Sequence, residues 1–431
     1  MQYFSTNRKS PRADFKDAVL RGQPDDGGLY FPETIPALSK EFFAELSRKP
    51  NEDIALEVIR PYVGNSIPDE RMFEICKETV NFPFPLIEIS DRISALELFH
   101  GPTLAFKDVG ARFMSRRLLH FACERTEKTI VPVATSGDTG GAVANGFFGV
   151  DGIEVVIIYP KDKVSKVQEL QLTTLGGNVT TLELHGTFDD CQRLAKCAIA
   201  DADLQKKVFI TSANSINVAR WLPQQFYYFF ALKQWQGEPP VISVPSGNFG
   251  NLASGVLAHL SGLPAAKFIA ACNANDVVPQ FFESGEYKPK ASVSTLSNAM
   301  DVGDPSNFVR ILEIFGRNFE DLKDKVEAVS ISDERTAETM RSVKKEFGYT
   351  LDPHGAVAFR SLSDHLEKDP GRRGIILETA HPVKFDSVNE ILGEAVAVPE
   401  SINDLFSKKR TRIEIAPEYE ALREILLERS K

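Results

Sequence analysis

From about Ile130 to Ala380 the chain repeats one pattern, and that pattern restricts the fold more than any other feature. A short continuous apolar run is followed by a stretch with helical spacing, then by another apolar run. The runs are Thr129–Thr135, Glu154–Pro160, Val179–Leu184, Val208–Ala213, Val241–Ser246, Lys267–Cys272 and Gly374–Ala380. Continuous rather than alternating hydrophobicity marks strands buried on both faces, with the intervening helices supplying the cover. The pattern therefore predicts an α/β fold built on doubly wound parallel sheet. Helix starts are legible between the runs: a helix is expected over 140–148, and Ser165 with Gln168 and Thr187 with Asp190 have capping-box spacing. In such folds ligands sit at the carboxyl ends of the strands.

The first 90 residues read as a separate, mostly helical unit. Gly27, Gly28 and Pro32 make a turn around LYFP, and ALEVIRPYV has helical spacing broken at Pro61. Residues 83–89 read as a linker. The expected division is 1–90, 91–239 and 240–431. Residues 273–307 carry little pattern and are expected to form loops over the site. A net charge of -10 argues against a nucleic-acid partner. Cys76, Cys123, Cys191, Cys197 and Cys272 are odd in number and lack CxxC spacing, so they are expected to be core residues in a reducing compartment, with no metal site. With no apolar leader and no apolar run near ~18 residues, neither secretion nor a membrane span is indicated, and the cytoplasm is expected. The oligomeric state stays open between monomer and homodimer.

Lys107 stands in HGPTLAFKD among apolar neighbours. Desolvation disfavours an ammonium, and the uncharged amine that results can form a Schiff base. A lysine in such a place equally serves as half of an ion pair. The turn Ser136, Gly137, Asp138, Thr139, Gly140, Gly141 closes a strand and opens a helix, where free N–H groups and the helix dipole favour an anion such as a small carboxylate. A capped strand–helix junction has the same sequence. The turn Ser246, Gly247, Asn248, Phe249, Gly250, Asn251 has a similar place, and its glycines let several N–H groups converge on a phosphate. An amine with a phosphate turn and a carboxylate turn is what a pyridoxal 5'-phosphate site needs. Thr379 ends a strand and could hydrogen-bond a pyridine nitrogen without protonating it. Asn214, Ser215 and Arg220 follow another strand. Asn217, Arg220 and Gln224 would share one helical face, although Pro223 must kink or restart that helix. His100, His354 and His381 read as structural hydrogen-bonders, and Phe226–Phe230 as core.

These segments together resemble threonine synthases, within the type II family of pyridoxal-phosphate enzymes. The resemblance rests on YFSTNR (with an extra Asn7), GGLYFP, HGPTLAFKD, SGDTG, SGNFGN and a T-x-H-P-x-K-F pattern at Thr379 to Phe385. Thr295 to Asn307 is similar too, without an assigned role. The resemblance implies the fold of that family, resembling tryptophan synthase β, with an additional N-terminal domain. It implies Lys107 as the cofactor lysine and Gly247, Asn248, Phe249, Gly250, Asn251 and Thr379 as cofactor-binding residues. Ser136, Gly137, Asp138 and Thr139 would bind the substrate carboxylate, and Asn214, Ser215 and Arg220 its phosphate. The implied reaction is conversion of O-phospho-L-homoserine and water to L-threonine and phosphate. A phospho-lyase releasing a keto acid, a serine/threonine dehydratase and a catalytically silent cofactor-binding scaffold are the alternatives.

Overall fold

The computed structural model describes residues 1–122 and 128–429, so Cys123 lies outside the described residues. Two sheets dominate. The larger has the order β12-β11-β10-β13-β5-β4, from Val326–Ser330 (β12), Lys267–Cys272 (β11), Val241–Pro245 (β10), Gly374–Glu378 (β13), Ile93–Glu97 (β5) and Leu86–Glu88 (β4). All its pairings are parallel except that of β4 with β5. The smaller has the order β14-β8-β7-β6-β9, from Ile413–Ile415 (β14), Val179–Leu184 (β8), Ile153–Pro160 (β7), Thr129–Ala134 (β6) and Phe209–Ile210 (β9), and is parallel throughout. β8 and β10 are buried along their whole length, as their unbroken apolar character requires. Both expected capping boxes form, at Ser165 with Gln168 and at Thr187 with Asp190.

Sheet membership does not follow the expected boundaries at 91 and 240. β5 belongs to the sheet of the later residues, and β14 returns to the sheet of the middle ones. The segment expected as a linker forms the edge strand β4. Residues 273–307 include a helix at Val277–Ser284 as well as loops.

The first 80 residues hold four helices and a three-stranded antiparallel sheet of Gln2–Ser5 (β1), Ala13–Asp14 (β2) and Tyr30–Pro32 (β3), with β1 in the centre. Of LYFP, Tyr30–Pro32 is thus strand, and the turn lies in the residues before it. Pro61 does not break its helix, which runs Asn51–Val63. Pro61 lies on the exposed face in the last turn, and Arg60 Nη1 donates to the carbonyls of Gly64 and Ile67 just beyond the helix end. The helix buries Ile54, Ala55, Val58, Ile59 and Tyr62, a stripe at helical spacing that joins the main core. That core centres on the helix Gln225–Gln234, whose residues Gln225 to Ala231 are all buried. Cys76, Cys191 and Cys272 are buried and Cys197 is half-buried. Among the described residues no helix is long and apolar enough to cross a membrane.

Candidate active site

The expected site residues come from the carboxyl ends of five strands. After β5 the chain turns through residues 98–106 and enters the helix Lys107–Ala122. The turn is fastened at many points. Leu104 takes a left-handed backbone conformation, φ 56°, and its carbonyl accepts from His381 N–H. Phe106 N–H donates to the Thr379 carbonyl at 2.9 Å, and Ala105 bridges Ala380. Thr103 donates through its N–H and hydroxyl to Asp108, at 2.9 and 2.5 Å. Tyr227 hydroxyl donates to the Phe106 carbonyl. The loop after β5 and the end of β13 are therefore zipped together, which sets the helix start at Lys107 beside Thr379.

Lys107 Nζ lies 3.9 Å from Asp138 Oδ2 and over the Phe106 ring, and 19% of its side chain remains exposed. Burial lowers its pKa; Asp138 opposes that shift, while Lys384 and Arg220 add to it. An amine of reduced basicity is the form that condenses with an aldehyde.

The Ser136–Gly141 turn follows β6 and opens the helix Asp138–Phe147. Thr135 Oγ1 accepts from the N–H groups of Gly137 and Gly140, at 3.0 and 2.9 Å. Gly137 therefore has no N–H to spare for a ligand, whereas Ser136 and Thr139 stay accessible. The Asp138 side chain turns inward. Its Oδ1 takes Lys384 Nζ at 2.8 Å and Gln168 Nε2 at 3.0 Å. Burial alone would raise the Asp138 pKa, but Lys384 and then Lys107 hold it well below the usual carboxylate range.

The Ser246–Asn251 turn follows β10 and opens the helix Gly250–Leu260. Phe249 adopts φ 61° there, a left-handed conformation unusual for a residue with a side chain. A Cβ on Gly247 would lie 2.6 Å from the Met300 Cα, whereas one on Gly250 would meet only the Asn307 and Gln224 side chains, at 3.5 Å and beyond. Asn248 Nδ2 donates to the Ser215 hydroxyl at 2.9 Å, which brings the expected cofactor and substrate loops together. Asn251 Nδ2 is buried without a partner.

Arg220 is 2% exposed and makes no salt bridge among the described residues. Its Nη1 donates to the Ala213 carbonyl at 2.6 Å, and its Nε has no partner. Burial lowers its pKa to about 10. Pro223 restarts the helix: Val218–Trp221 is α-helical, Leu222–Gln224 is a 3-10 turn and Gln225 opens a new helix. Across that restart Gln224 Nε2 donates to the Arg220 carbonyl at 2.9 Å. Asn217 caps the first of these helices and donates to the Val19 carbonyl. His354 uses both ring nitrogens, on Asp352 and on Ala299 N–H. His381 accepts from Val383 N–H, and burial holds its pKa down to about 4.

Sequence reasoning missed Thr135, Gln168, Tyr227 and above all Lys384. Two signals for Lys384 were available: its place as the lysine of the T-x-H-P-x-K-F pattern, and a charged residue set between the apolar Val383 and Phe385.

These residues fit pyridoxal 5'-phosphate. The Lys107 amine suits its aldehyde, a glycine-lined helix N-terminus with a partnerless buried amide suits its phosphate, and the Thr379 hydroxyl suits its ring nitrogen. Comparison with known proteins agrees. The family model described as pyridoxal-phosphate dependent enzyme matches residues 85–377, that for the threonine synthase N terminus matches 2–80, and that for the threonine synthase C-terminal region matches 355–426. The chain is 42% identical to the threonine synthase of Escherichia coli strain K12, with 99% of each chain covered. The chain belongs to the threonine synthase family. It is a pyridoxal-phosphate-dependent enzyme of fold type II.

Solved structures of threonine synthases superpose over nearly all of it. The E. coli crystal structure gives a TM-score of 0.91 at 41% identity, covering 99% of this chain and 100% of that one. The pyridoxal-phosphate-bound threonine synthase of Brucella melitensis gives 0.94 at 34% identity, covering 100% of both.

Proposed function

We propose that this enzyme converts O-phospho-L-homoserine and water to L-threonine and phosphate, with Lys107 as its cofactor lysine. The observation that carries the phosphorylated substrate is Arg220: a buried guanidinium with no carboxylate partner among the described residues, beside the loop that presents Asn214 and Ser215. A buried unpaired cation is costly, and an arriving phosphate removes that cost while accepting two charge-assisted hydrogen bonds.

When bound, the cofactor supplies an electron sink for carbanionic charge at the substrate's reacting carbons. The N–H groups of Gly247 to Asn251 hold its phosphate, and the Thr379 hydroxyl holds its ring nitrogen. The Ser136 and Thr139 groups and the backbone of Asp138 orient the substrate carboxylate. The Lys107 amine would serve as the group that moves protons at the substrate's Cα and Cβ. Arg220, Asn214 and Ser215 grip the phosphate as it leaves. A small-molecule enzyme working in the cytoplasm is the setting this reading expects.

Incubation with O-phospho-L-homoserine should release phosphate and threonine in equal amounts, followed by mass spectrometry. Phosphate accompanied by a keto acid would make it a phospho-lyase instead. Turnover of unphosphorylated serine or threonine at a rate equal to that of the phosphorylated substrate would make it a dehydratase.

A further inference from the structure

Lys384 is fully buried, in a 3-10 turn six residues beyond the end of β13. A buried ammonium is tolerated only where it is paired and hydrogen-bonded. Here one nitrogen ties its own turn to two other segments. Lys384 Nζ donates to the Thr103 carbonyl in the Lys107 loop at 2.7 Å and to Asp138 Oδ1 in the Ser136–Gly141 turn at 2.8 Å. Asp138 belongs to the smaller sheet's turn and Lys384 to the larger sheet's, so the pair spans the junction between the two sheets. The remaining oxygen, Asp138 Oδ2, faces Lys107 Nζ at 3.9 Å.

This arrangement resolves a difficulty in the turn. A substrate carboxylate arriving at Ser136 and Thr139 would meet the negative charge of Asp138 one residue away. Lys384 cancels that charge and draws Oδ1 inward, along with Gln168. We propose that Lys384 is a positioning residue: by clamping Asp138 it keeps the turn receptive to the substrate's carboxylate and holds Asp138 Oδ2 toward the Lys107 amine. The substrate half of this inference rests on the function proposed above; the effect on Lys107 does not. The aspartate of SGDTG and the lysine of T-x-H-P-x-K-F are then one charge-balanced device.

Three variants test it: Lys384→Met, Asp138→Asn, and the two combined. In the holoenzyme, Lys384→Met should raise KM for O-phosphohomoserine at least tenfold, since it leaves an uncompensated carboxylate beside the incoming one. The double variant restores neutrality and should recover KM to within about threefold of the parent, ~0.7 kcal/mol at ~1.4 kcal/mol per decade. A second readout needs no turnover. The pH midpoint for acetylation of Lys107 in the cofactor-free protein reports its charged neighbours, which are Asp138, Lys384, Arg220 and Asp352. That midpoint should rise in Lys384→Met, fall in Asp138→Asn, and lie between the two in the double variant. A double variant as impaired in KM as Lys384→Met, together with an unmoved Lys107 midpoint, would make Lys384 a packing residue and overturn the inference. If Lys384→Met does not fold, the comparison of Lys384→Gln with Lys384→Gln/Asp138→Asn decides by the same two readouts. Should the parent enzyme not convert O-phosphohomoserine, the function fails while the midpoints still judge the clamp.

Discussion

The two glycine turns, Ser136–Gly141 and Ser246–Asn251, share a plan: each leaves a parallel strand and opens a helix. They are built in opposite ways. The first contains a buried carboxylate and is balanced by charge, with Lys384 on one oxygen of Asp138 and Lys107 near the other. Two of its N–H groups are already taken by Thr135. The second contains no charged side chain. It is shaped by sterics instead: Gly247 backs onto Met300, Phe249 takes a left-handed conformation, and Asn251 leaves an amide N–H free. Equal scaffolds can thus be tuned by electrostatics or by shape, and mutations should tell them apart.

The largest effect is expected in the turn governed by shape. In Gly247→Val the new Cβ would stand 2.6 Å from backbone, which cannot yield as a side-chain tip can. Overpacking of this kind costs about 1–3 kcal/mol. The variant should lose cofactor on dialysis, read by absorbance, with its circular dichroism kept. Retention of cofactor would show that the turn tolerates reshaping.

Next in size is Arg220→Ala. Removing two charge-assisted hydrogen bonds of about 1.5–3 kcal/mol each should lower kcat/KM on O-phosphohomoserine at least about a hundredfold. Cofactor colour should persist, because its phosphate is assigned to the other turn. Loss of colour would reassign Arg220 to the scaffold, where its bond to Ala213 already places it in part.

The charge-governed turn should reveal itself in acid. Asp138 is held well below its ordinary value, so the stability it contributes is present above the unfolded carboxylate pKa of about 3.9 and is lost as pH falls below that. Asp138→Asn should accordingly show a flatter decline between pH 5 and 3 in urea melts. A decline as steep as the parent's would mean that Asp138 is not charge-coupled in the folded state.

The smallest effect is expected at Gly250. A Cβ there meets only the ends of amide side chains at 3.5 Å or more, so Gly250→Ala should weaken cofactor binding less than Gly247→Val by at least tenfold. Equal losses would erase the distinction between the wall of the turn and its open side.

Much of this architecture was legible because it is local. Buried parallel strands announce themselves as unbroken apolar runs, and both capping boxes depend on residues three apart. What escaped notice depended on distant partners or on edges. β5 carries Ser94 and ends in Glu97, so its apolar run is interrupted although four of its five residues are buried. β14 is largely exposed at a sheet edge and looks like loop. Lys384 meets Asp138 across 246 positions of chain, a pairing that only the folded topology creates. The glycine turns were recognisable as strand-to-helix junctions, yet the inward direction of the Asp138 side chain was not. That direction is set by Lys384 and Gln168 rather than by its neighbours in sequence.

Lys107 and Lys384 both lie beside Asp138, and only Lys107 is assigned to the cofactor. Reduction of the holoenzyme with borohydride, followed by peptide mapping, tests that assignment directly. A stable label is expected on Lys107 alone, with Lys384 unmodified. A label on Lys384, or on any other lysine, would contradict it.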